Sequence, residues 1–119
     1  MKRLILEFDI DISYNAINVS AIVYHRVWFT GRKWLPPKGL GLGREGWRWH
    51  FGTYETNMSP HLDTSTLDHE EIKDRISLFV DKCTEEIRTN MESYNKNARA
   101  AKKPEFKLIV KKPLMLFCI

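Results

Sequence analysis

Glu7, Asp9 and Asp11 recur at two-residue steps near the amino end. On an extended strand that spacing puts three carboxylates on one face, roughly 6.6 to 6.8 Å from one to the next. Carboxylates so arranged can hold a divalent metal for phosphodiester hydrolysis. Metal sites usually draw ligands from several elements, however, and the solvated face of an edge strand accounts for the same three acids. His25, His50, His61 and His69 form no HxxxH or HExxH pair and no Cys/His cluster, so zinc has no ligand set. His50 lies two residues from Arg48, a pairing that acid–base cleavage of RNA would need. A strand histidine among aromatics is more often a packing or surface residue. Cys83 falls on an apolar helix stripe and reads as a core thiol. Gly41-Leu42-Gly43-Arg44-Glu45-Gly46 matches GxGxxG, but that fingerprint must leave a strand and open a helix, and this one opens onto an alternating, strand-like stretch. The expectation is a protein that is not an enzyme and takes no metal and no cofactor.

Aromatic and basic residues carry the stronger signal. All four tryptophans, Trp28, Trp34, Trp47 and Trp49, fall between Arg26 and His50, together with six Lys/Arg residues and the single acid Glu45. Flat aromatic rings and guanidinium groups anchor protein partners, grip phosphates and stack on bases. Trp47 and Trp49 share strand parity with Phe51, so one sheet face carries three aromatics, and the two tryptophans are expected in the core against a helix. Trp34, in a glycine- and proline-containing loop beside Arg32 and Lys33, is the expected contact residue. The candidate partner-binding set is Arg26, Trp28, Arg32, Lys33, Trp34, Lys38, Arg44 and Arg48.

Two partner classes suit that set. A protein-binding module of the inhibitor, immunity or accessory type agrees with the small size, the lack of a catalytic constellation and the Trp/Arg loop. Nucleic-acid binding through the same loop is the alternative, with cations on phosphates and Trp34 or Trp28 on unpaired bases. A small metal- or His-dependent nuclease is the third. The preferred partner is another protein or a nucleoprotein, with no membrane, and the oligomeric state is left open.

Charge is unevenly spread over the 119 residues, whose formal net charge is +4. Besides the Trp-rich segment, Lys96 to Lys112 carries seven bases against Glu105, whereas Asp68 to Glu92 carries eight acids and four bases. A bipolar surface follows. Hydrophobic residues make up 43% and charged residues 29%, which is ordinary for a folded chain and argues against general disorder. One domain spanning 1–119 is expected. The start has too short an apolar run for a secretory signal, and Cys83 and Cys118 lack metal-ligand spacing, which together suggest a cytoplasmic protein with reduced thiols.

The elements that must position these residues follow from periodicity. Leu4, Leu6, Phe8, Ile10, Ile12 and Tyr14 alternate with polar positions and predict a strand. Ile17 to Thr30 alternates again and predicts a second strand, hairpinned to the first. Gly31 to Gly46 holds five of the six glycines with Pro36 and Pro37 and reads as a long loop. Trp47 to Tyr54 predicts a third strand, followed by a polar linker from Glu55 to Thr66. Ile72, Ile76, Phe79, Val80, Cys83, Ile87, Met91 and Tyr94 mark an amphipathic helix of about 27 residues, roughly 40 Å long. Ser65 or Asp68 can cap it. Glu105 to Lys111 predicts a fourth strand, and the apolar Leu114 to Ile119 a fifth strand or a buried tail. The expected class is α+β: an antiparallel sheet of about four to five strands packed on one long helix, in the order β-β-β-α-β.

Overall fold

A computed structural model describes residues 2–26, 30–43, 46–58 and 60–113. The expectations for Trp28, Arg44 and Leu114–Ile119 lie outside those residues.

The first two strands form as their alternation predicts. β1 (Lys2–Ser13) and β2 (Ala16–Arg26) are antiparallel, with Ser13 opposite Ala16 across a tight turn and Ile5 opposite Tyr24. Leu4, Leu6, Phe8, Val19, Ala21 and Val23 share the face that packs on the helix and are buried. Coverage fails toward the turn, where Ile12 and Tyr14 of the same predicted stripe are exposed.

The second edge of β2 is covered end to end by three short strands. β3 (Lys33–Trp34) pairs His25 and Arg26, β5 (Thr53–Thr56) pairs Ile22 and Val23, and β6 (His61–Asp63) pairs Ala16 to Asn18. β4 (Trp47–His50) lies outside β5. The strand predicted over Trp47 to Tyr54 is therefore a hairpin. Phe51 and Gly52 both have positive φ, 44° and 82°, the combination that a two-residue turn needs to match the twist of its strands. β3 and β6 are too short, and β6 too polar, to register as alternation.

The helix α1 (His69–Ala100) has 32 residues, longer than predicted. Asp68 caps it, its carboxylate accepting the Glu71 backbone N–H at 2.8 Å. It continues past Tyr94 because no helix breaker occurs before Pro104, giving a rod of roughly 48 Å. The predicted stripe is buried from Ile72 to Met91, and Phe8 meets Phe79 edge-on at 6.1 Å. Cys83 is part of that stripe, and burial raises its thiol pKa to about 12, so it is an inert core group.

The last strand corrects the expected antiparallel sheet. β7 (Phe106–Lys111) runs parallel to β1, from Lys2 opposite Phe106 to Glu7 opposite Lys111. β6 is antiparallel to β2 and so runs with β1. A single helix returns the chain to the end it left, so the strand after α1 must run in the direction of the strand before it. The result is an α+β fold with a mixed sheet of seven strands, ordered β4-β5-β2-β1-β7 with β3 and β6 also on β2. Asn95 of α1 fixes the start of β7, bonding both the N–H and the carbonyl of Phe106 at 2.8 Å.

Candidate functional site

The glycine-rich segment predicted as a long loop is fastened to the core. Pro36, Leu40 and Leu42 are buried, a 3₁₀ turn covers Lys38–Leu40, and a Cβ on Gly39 would stand 3.0 Å from the Tyr94 ring. Among its described residues, Gly31 to Trp34 form a continuous exposed run. There β3 holds Trp34 opposite His25, whose Nε2–H donates to the Leu35 carbonyl at 3.0 Å. The His25 ring lies between Trp34 and Phe106, with centroids at 6.5 and 5.8 Å. Burial, offset in part by that hydrogen bond, holds its pKa below the usual 6.5.

The β4–β5 hairpin tip abuts this strand. A Cβ on Gly52 would fall 2.8 Å from the Lys33 carbonyl oxygen, so only glycine lets the tip approach so closely. Next to it Phe51 takes a left-handed conformation, which costs a non-glycine residue on the order of 1–3 kcal/mol, and its ring rests 4.0 Å from that of His50. The outcome is one end of the sheet with three exposed aromatics: Trp34 at 54%, Trp49 at 61% and Phe51 at 83% of full exposure.

Trp49 corrects the expectation that Trp47 and Trp49 are both core, and Phe51 departs from the strand face it is expected to share with them. Trp47 alone is core, 4% exposed, and its Nε1–H donates to Glu86 of the helix at 2.9 Å. Trp49 shares its face but lies beyond the helix's cover, and Phe51 leaves the strand altogether at the turn. The Phe51-Gly52 dipeptide between two four-residue alternations was the available signal.

Cations and rings that alternate in sequence separate in space. Trp34, opposite His25, and Trp49, opposite Tyr54, are on the helix side of the sheet. Arg26, Lys33 and Arg48 are on the open side, with Lys33 opposite Arg26 and Arg48 opposite Glu55. The organising group on the open side is Tyr24, fully buried, whose hydroxyl donates to Glu7 Oε2 at 2.5 Å. Burial first, and then the Glu7 carboxylate, raises the phenol pKa. Arg26 and Lys33 stand over its ring at 5.4 and 4.7 Å, and Arg26 also donates to the Gly31 carbonyl at 2.6 Å. Arg32 is exposed just before β3, while Lys38 is exposed on the 3₁₀ turn and is not part of this end.

The remaining chemical candidates gain little. Glu7 is engaged by Tyr24, Asp9 and Asp11 are exposed, and among the described residues no group of three His, Cys, Asp or Glu could hold a metal ion. Among them, too, no helix is long and apolar enough to cross a membrane. Comparison with protein families, with curated proteins and with solved structures found no match.

Proposed function

We propose that this is a small non-enzymatic protein-binding module of the inhibitor, immunity or accessory type, acting in the cytoplasm on a protein or nucleoprotein. Trp34, Trp49 and Phe51 are its anchors, and Arg32 and Arg48 are rim cations. The observation that supports this reading is the meeting of three large exposed aromatics at one sheet end, one of them on strained backbone. Exposed rings of this size lower solubility unless something covers them, and Trp, Tyr and Arg dominate interface hot spots. Nucleic-acid binding through the same loop asks ring and cation to share a surface. Strand alternation instead sends Trp34 and Lys33 to opposite faces.

Affinity capture from the source cell, wild type beside a Trp34→Ser/Trp49→Ser variant, tests the proposal. The expected result is a protein retained at moderate salt and after nuclease treatment by the wild type alone, with equal thermal midpoints for the two baits. Retention of the same protein by both baits after nuclease treatment, or loss of the tryptophan-dependent protein on that treatment, would overturn it.

A further inference from the structure

The open face of the sheet carries a second arrangement that the aromatic end does not use. Lys33 is opposite Arg26, and Arg3 is opposite Lys107. The β1–β2 pairing ends at Ile5 and Tyr24, and Arg3 and Arg26, each two residues further on, extend from that same end on the same face. Two cross-strand pairs, Lys33 with Arg26 and Arg3 with Lys107, thus form a row at one end of the open face, all exposed and all positive. Like charges directly across strands are destabilising, so the row works against the stability of the isolated protein. Of the acids on this face, Glu7 is engaged by the Tyr24 hydroxyl, and Glu105, two residues before Lys107, by Arg99 at 2.8 Å. Two of the four cations are held in place over the Tyr24 ring, which reduces the side-chain entropy lost when they meet an anion.

We propose that this row is a binding site for the phosphodiester backbone of a nucleic acid duplex, separate from the aromatic docking end. Three strand spacings make the row roughly 14 Å long, and a duplex strand presents one phosphate about every 3.4 Å of helix axis, so a row laid along the axis covers about four such steps, enough for one phosphate per cation. A duplex backbone repeats its charge at every step along its whole length. Phosphate contacts of this kind are indifferent to base sequence. The two basic segments, far apart in the chain, converge here because β7 returns parallel to β1.

Anisotropy of a short labelled DNA duplex of mixed sequence, titrated with the full chain, tests the site. Four contacts predict a log–log salt slope of about −3.6 and a loss of affinity of roughly 150-fold between about 50 and about 200 mM salt. An Arg3→Gln/Lys107→Gln variant should lower the slope by about 2 with an unchanged or higher thermal midpoint. Lys107→Arg should bind as the wild type does, and so should Trp34→Ala, which alters the other face. Absence of duplex binding at low salt, or an unchanged slope in the double variant, would overturn the proposal. Equal retention by phosphatidylserine vesicles or polyglutamate would overturn it as well.

Discussion

Trp47 and Trp49 are two residues apart on β4 and face the same side of the same sheet, yet the helix covers one and leaves the other open. Trp47 meets α1 and finds Glu86 for its indole N–H at 2.9 Å. Trp49 lies one step further out, next to the turn that ends the strand, and is 61% exposed. Parity selects a face, but burial depends on whether an opposing element reaches that far. The sheet is wider than its single helix, so its β3 and β4–β5 margin keeps apolar rings without cover, and that margin is where the proposed partner docks.

The contrast is open to breakage by substitution. Trp47→Ala should cost about 3–5 kcal/mol, read as a lower midpoint in urea, whereas Trp49→Ala should stay within about 0.5 kcal/mol. Equal losses would mean that the two rings are equally covered. Gly52→Ala should cost about 1–3 kcal/mol through its positive φ and its clash with Lys33, with the damage confined to the hairpin in amide exchange. Phe51→Asn supplies the Asn-Gly pair that such turns favour and should raise stability by about 1 kcal/mol while weakening partner capture. A destabilised variant would show that the Phe51 ring contributes to the fold, not to docking.

The smallest effect is that of pH. The depressed pKa of His25 means that the unfolded chain takes up its proton first as pH falls below the usual 6.5. Stability is therefore full above that value and declines as pH falls toward the folded-state pKa. Thermal midpoints measured from neutral to mildly acidic pH should show the decline, and His25→Gln, which keeps a donor for Leu35, should flatten it.

Legibility in the sequence followed the length and regularity of each element. β1, β2, α1 and β7 declare themselves because alternation or a three-four stripe persists over six or more residues, and Asp68 caps the helix as its spacing with Glu71 suggests. β3 and β6, at two and three residues, carry no period to detect. The Trp47–Tyr54 hairpin looked like one strand because a two-residue turn adds an even number of positions and leaves alternation unbroken. Within the candidate site, exposed Trp34 was legible from its loop of glycines and cations. Trp49 and Phe51 were not, and Arg3 and Lys107 belong to the cationic row only through pairing between distant segments.

Local physical chemistry by itself determined the α+β class, the apolar face of each long element, the capped helix and the concentration of Trp and Arg between residues 26 and 50. Those properties depend on side-chain type and on periods of two or about 3.6 residues, which neighbours in sequence impose. Tertiary structure alone decided the parallel return of β7, which of two equivalent tryptophans is buried, and the separation of rings and cations onto opposite faces. Each of these depends on which strand edge is vacant and how far the helix extends over the sheet, quantities set by long-range packing that no local pattern records.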